Sequence, residues 1–281
     1  MPQSLSLTQI VLRRFLKHKL AVVGVLLIGL MLFAALFASF LSPYPFDEQD
    51  LFSIVQPPSP EHFMGTDDLG RDLYTRLLFG SRVSLIVGLL SSFIATLIGT
   101  GVGALAGFFG GNIDNLLMRF VDLMLAFPAI FLQLILFSVV GPSLWTVIIF
   151  LGAFGWMYLA RVVRGEILSL REKNFVEAAR ALGVSNARLI LRHLLPNVFG
   201  AIIVSTTLSV AFNLLAEGTL SFLGFGVPAS TPTWGNILFA AASYMRQVPT
   251  FVIFPGLLLT LSVLAVNFIG DGLRDALDPR A

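Results

Sequence analysis

Few side chains in this 281-residue chain can do chemistry, and their spacing restricts that chemistry sharply. Cysteine is absent, which excludes disulfides, thiolate metal sites and cysteine nucleophiles. His18, His62 and His193 are scattered with no second ligand at helical spacing, so no metal site is expected. A phosphate-cradling loop needs Gly-Lys followed by Ser or Thr. The lysines are Lys17, Lys19 and Lys173, and none follows a glycine. The chain is therefore not expected to hydrolyse ATP or to hold a cofactor. Gly270-Asp271-Gly272 differs from the Gly-x-Gly-Asp of intramembrane aspartyl proteases, and no nucleophile has a base at a coherent spacing.

Two arrangements remain. On one, Ser205, Ser209, Asn213 and Glu217 recur every fourth residue and so share one helical face, with Leu208 and Leu215 off it. Polar groups are costly against lipid, so the stripe faces either neighbouring helices, as glue, or water. As the wall of a solute path it supplies replaceable hydrogen bonds, with Glu217 near the outer mouth. The other arrangement is the segment 174–196, which alternates apolar and basic residues.

The elements that must position these residues are membrane spans. Hydrophobic residues make up 56% of the chain and charged ones 12%, with a mean hydropathy of +0.88. A soluble domain carries about 25% charged residues, so soluble enzymes, nucleic-acid modules and disordered chains are excluded. Spans of roughly 20 apolar residues fall at 20–41, 83–113, 120–140, 144–160, 198–225 and 248–269. Asp122 and Glu217 are the charges within them. The pattern predicts an all-α integral membrane protein with six transmembrane helices. Ala95, Gly99, Gly103 and Gly107 form a small-residue ridge that lets another helix approach, in this chain or in a partner. Pro128 predicts a kink in the third span.

Orientation follows from Lys and Arg near the span ends. The tail before the first span carries Arg13, Arg14, Lys17 and Lys19 with no acid, and 161–196 holds seven basic residues against three acids. Segment 42–82 holds seven acids and three arginines. The division is then a cytoplasmic tail at 1–19, a first helix at 20–41 and an extracytoplasmic segment at 42–82. A five-helix core at 83–269 follows, with its cytoplasmic loop at 161–196, and then a cytoplasmic tail at 270–281. Acids and arginines between Gly65 and Arg82 read either as a structural ion-pair network or as a surface that receives a partner.

Within 174–196 the residues predict two short helices around a turn. Asn174 with Glu177 fits a capping box, Gly183 a left-handed helix end, and Ser185 a second cap. Pro196 ends the second helix or opens the next span. Such a hairpin either docks a protein or lies on anionic headgroups.

Glu177-Ala178-Ala179, Gly183, His193 and Leu195-Pro196 resemble the "EAA" loop of binding-protein-dependent ABC importer permeases. Three further stretches narrow the resemblance to the dipeptide/oligopeptide/nickel class and to its second, C-type permease. They are Met64 to Asp72 (Met-Gly-Thr-Asp-Asp-Leu-Gly-Arg-Asp), Glu217 to Gly226 (Glu-Gly-Thr-Leu-Ser-Phe-Leu-Gly-Phe-Gly), and Asn267 to Arg280. The resemblance implies a type I importer permease fold in a bacterial inner membrane. It implies a heterodimer with a second homologous permease, two ATP-binding cassette ATPase subunits and an extracytoplasmic binding protein. Glu177, Ala178, Ala179, Gly183, Arg188, Arg192, His193 and Pro196 would form the ATPase-coupling surface. The substrate would be a dipeptide, an oligopeptide or a nickel complex. An ion-coupled secondary transporter is the alternative, although no internal repeat or set of paired broken half-helices is visible.

Overall fold

The computed structural model describes residues 7–277, so Asp278 and Arg280 of the C-terminal tail lie outside the described residues. Among these residues the chain is helical, and its one strand-like pairing is an isolated bridge between Thr66 and Asp72. Short helix α1 (Leu7–Lys17) precedes α2 (Lys19–Leu36) and α3 (Ala38–Leu41). Then follow α4 (Leu73–Phe109), α5 (Gly111–Ala126), α6 (Ala129–Val140), α7 (Leu144–Gly155) and α8 (Met157–Arg171). The remaining helices are α9 (Asn174–Ala181), α10 (Asn186–Arg188), α11 (Leu195–Phe222), α12 (Trp234–Ala242) and α13 (Thr250–Leu277).

Five helical runs are long and apolar enough to cross a membrane. The pair α5–α6 supplies a sixth crossing when counted as one broken span. Several runs outreach their charge-free stretches. The second starts at Leu73 rather than Val83, and the fifth runs from Asn186 to Phe222. Helices continue past the apolar window because their ends pack on protein, where polar side chains find partners.

The expected kink at Pro128 is a break, with α5 and α6 turned 80° from each other. Proline has no N–H to donate and pushes the preceding residue out of the helical region. Phe127 accordingly sits at φ −96°, ψ 135°.

Helix α4 is the central strut. Its small ridge packs on α8 of the same chain: a Cβ at Gly99 would stand 2.7 Å from the carbonyl oxygen of Trp156, and one at Gly107 2.8 Å from that of Arg164. Only glycine permits that backbone approach. Asp72 caps α4 by accepting the Thr75 N–H at 2.7 Å. Arg82 on α4 donates to the carbonyls of Ala35 and Leu36 at 3.0 and 3.2 Å, closing the free end of α2. The acids and arginines of 65–82 are largely buried: Asp67 takes Arg71 at 2.7 Å and Arg76 at 3.3 Å, and Asp72 takes His62 at 2.9 Å. That cluster ties the loop before α4 to its first turns.

Candidate functional site

Two regions concentrate the residues singled out from the sequence. The first is the hairpin between α8 and α11. Helix α9 starts at Asn174, one residue before a cap by Asn174 would allow. Lys173 holds the cap position, and no side chain makes a capping bond, so the expected capping box is not formed. Instead the backbone carbonyl of Lys173 accepts from Val176 at 2.9 Å.

The end of α9 follows the sequence closely. Gly183 lies at φ +75°, its N–H donates to Arg180 at 2.9 Å, and the N–H of Val184 reaches Ala179 at 3.1 Å. Those two bonds are a Schellman closure, which needs a left-handed residue. Ser185 holds the next cap position without a side-chain bond.

The second helix of the hairpin is not separate. It passes from α10 through a π-helical turn at Leu189–Leu194 into α11, giving one run of 37 residues. Pro196 sits in the first turn of α11, where its missing N–H breaks the α-ladder locally and a wider turn is accommodated. The carbonyl of His193 accepts the side-chain amide of Asn197 at 2.6 Å.

Val176, Ala179, Leu189, Ile190 and Leu194 bury the hairpin against Phe108, Val163 and Ile167. Glu177, Ala178, Gly183, Arg188, Arg192 and Pro196 are exposed, and His193 is half-buried. Leu182 projects at 84% exposure with no covering side chain in this chain. The hairpin is thus anchored on one face and open on the other.

The second region is a cavity of about 580 Å³ bounded by two helix breaks and α11. Met124, Phe127, Pro128 and Ala129 come from the α5–α6 break, and Phe154, Gly155, Met157 and Tyr158 from the α7–α8 junction. Helix α11 contributes Ser205, Leu208, Ser209, Phe212 and Asn213. The size is that of a small-ligand site, and no charged side chain lines it.

Three members of the polar stripe therefore meet on one wall, while Glu217 lies elsewhere. It is 0% exposed and accepts hydrogen bonds from Ser221 at 2.7 Å and Ser84 at 3.2 Å. Asn213 is buried as well and donates to Ser92 at 2.9 Å. Leu208, off the stripe by spacing, lines the cavity because the wall is wider than one row of side chains.

Sequence reasoning did not find the aromatic and methionine lining, since apolar residues in an apolar span carry no contrast. The trace that was present is Pro128, where the break opens. Also missed were the ion pairs that clasp α5 to α8. Arg164 grips Asp114 through two bonds, at 2.5 and 2.6 Å, and Arg161 meets Asp122 at 2.6 Å.

Residues 99–281 match the family described as "Binding-protein-dependent transport system inner membrane component". Residues 6–58 match the "N-terminal TM domain of oligopeptide transport permease C". The chain is 42% identical over 264 residues to the dipeptide transport system permease protein DppC of Alkalihalophilus pseudofirmus, covering 94% of this chain and 87% of that protein. It is 38% identical over 278 residues to the oligopeptide transport system permease protein OppC of Bacillus subtilis, covering 99% and 91%. A structure of the MetNI methionine ABC transporter in inward-facing conformations shares the fold, with a TM-score of 0.59 at 21% identity, covering 73% of this chain and 98% of that one.

Proposed function

The chain belongs to the family of binding-protein-dependent transport system inner membrane components, and we propose that it is the C-type permease of a peptide importer, paired with a second, homologous permease. It is a multi-pass inner-membrane permease of the type I ABC importer fold. In the proposed assembly an extracytoplasmic binding protein delivers the peptide and two ATP-binding cassette subunits hydrolyse ATP. Both termini and the hairpin face the cytoplasm, as the basic residues around Arg13 and in 161–196 suggest.

The observation that carries this reading is the continuity of the 37-residue helical run from the hairpin to the cavity wall. The open face of the hairpin, with Glu177, Ala178, Gly183, Arg188 and Arg192, is the docking surface for an ATPase subunit. Ala179, His193 and Pro196 shape it from behind and from its base. Ser205, Ser209 and Asn213 line the path, and Glu217 holds the outer part of α11 in place. A peptide fits this cavity better than a nickel complex. Its side chains match the Met and Phe lining, and small hydroxyls exchange hydrogen bonds with its backbone without binding tightly. The names of the relatives point the same way.

The test is uptake of a labelled dipeptide by proteoliposomes holding the chain with its neighbouring permease, ATPase and binding-protein gene products. Uptake that requires ATP and loaded binding protein supports the reading. Uptake driven by an ion gradient without ATP would identify a secondary transporter instead.

A further inference from the structure

Helix α1 is used by neither the hairpin nor the cavity. It is strongly two-faced. Phe15 turns toward α13, where a Cβ at Gly272 would stand 3.3 Å from its ring, and Val11 and Arg14 are half-buried beside it. Leu12 and Leu16 point the other way, 58% and 57% exposed, and next to them on the helical surface stand exposed Arg13 and Lys17. The chain then turns at His18, whose imidazole accepts the Ala21 N–H at 3.1 Å and reaches Asp275 of α13 at 3.6 Å. Lys19 is exposed at the start of α2. The corner is thus fixed to the end of α13, with a leucine row and three cations turned outward.

Two observations say what covers that face. The leucine row is followed directly in the chain by the outward surface of α2, where Leu20, Leu26 and Leu30 are 52%, 67% and 65% exposed along a membrane span. Within the described residues, Arg13, Lys17 and Lys19 meet no acidic side chain. An apolar row that meets acyl chains, edged by cations, is the composition of a helix lying in the headgroup layer. Long basic side chains bury their stems and keep their charge in water.

We propose that the outward face of α1, with Arg13, Lys17 and Lys19, is a binding surface for anionic phospholipid headgroups, with Leu12 and Leu16 set in the adjoining acyl layer. Phosphate groups satisfy the three cations, and the bound lipid holds the α1–α2 corner against α13. This surface is independent of which solute the chain carries.

Because the chain has no cysteine, Leu12→Cys, Leu16→Cys and, as an insertion control, Leu26→Cys can each carry a single environment-sensitive fluorophore on the full chain. The labelled proteins are placed in bilayers of phosphatidylcholine alone or mixed with phosphatidylglycerol, and quenching by neutral aqueous acrylamide is read. The Leu26 label stays protected in every bilayer. The Leu12 and Leu16 labels are expected to become protected when phosphatidylglycerol is present. Each of Arg13→Gln, Lys17→Gln and Lys19→Gln lowers the ratio of protected to exposed label by about fivefold, and Arg13→Lys restores it. Quenching equal in neutral and anionic bilayers, or unchanged in the triple variant, would overturn the proposal. So would protection that arises only when the second permease is added, since the face would then be a protein contact. The readout involves no transport, so its failure leaves the importer assignment untouched.

Discussion

Glu217 on α11 and Ser84 on α4 meet through a 3.2 Å hydrogen bond, and the same Ser84 hydroxyl accepts the backbone N–H of Trp234 on α12 at 3.2 Å. One small side chain thereby joins three helices. Trp234 is 0% exposed and also donates its indole N–H to Ser81 at 3.1 Å. Thr233 and Asn236 cap α12 reciprocally, fixing the turn that presents Trp234. Glu217 is therefore a fastener for the 223–249 segment.

Replacing that fastener should separate structure from transport. Glu217→Ala leaves Ser84 and Ser221 without their buried acceptor, at about 2 kcal/mol for the pair of lost bonds. Glu217→Gln keeps an acceptor and should lose less. Thermal unfolding in detergent measures both. An alanine variant with wild-type melting and abolished transport would return Glu217 to the path.

The cavity wall can be mapped by single cysteines. Ser205→Cys and Ser209→Cys are expected to react with a water-soluble thiol reagent, and Asn213→Cys more slowly because Asn213 is only 1% exposed, with rates that change when ATP or loaded binding protein is added. Glu217→Cys and Leu215→Cys, on the outward side of α11, should stay protected. Protection of all three wall positions in every state would move the path to another helix.

Gly183 isolates backbone strain from crowding. No atom lies within 4 Å of a Cβ built there, so Gly183→Ala acts through its positive φ alone. The expected cost is about 1 kcal/mol, and Gly183→Val should cost more because of its branch at Cβ. Both should reach the membrane and reduce peptide uptake relative to ATP consumed. Gly165→Ala, on open helix surface with ordinary backbone, is the matched control. Equal uptake per ATP in all three variants would remove the hairpin from coupling.

Helix α4 gives an opposite-signed pair, one glycine off its ridge and one on it. A methyl added at Gly101 would meet no atom within 4 Å, so Gly101→Ala should raise stability by about 0.5–1 kcal/mol. Gly103→Ala drives its methyl into the Ala160 carbonyl and should lower stability. Melting temperatures that rise for both would show that α4 and α8 do not touch along this line.

Much of this was legible in the residues. Apolar length gave the spans, and Gly183 in its turn position implied a left-handed residue that the backbone adopts. The every-fourth spacing of Ala95, Gly99, Gly103 and Gly107 placed a helix contact, and α8 makes it. What escaped had no local contrast. Trp156 closes α7 and opens α8 amid residues as apolar as itself. Pro128 announced a bend, but a proline alone does not fix its angle, which is 80°. Stripe spacing alone also gave Glu217 the same surroundings as Ser205. Its partner Ser84, which also takes the N–H of Trp234, is remote in sequence and becomes a neighbour only through the packing of α4 against α11 and α12.

The 37-residue run from Asn186 to Phe222 is, at 1.5 Å per residue, a rod of about 55 Å. A tilt of about 5° about one end would carry the other through about 5 Å, by the same length. Under the proposed coupling, a push on Leu191 and Arg192 would be carried along this run to the row from Ser205 to Asn213, past the π turn at Leu189–Leu194 and Pro196 just after it. The fold would then act as a lever with its π turn at the handle, and the stiffness of those six residues would set how much of a push arrives at the cavity.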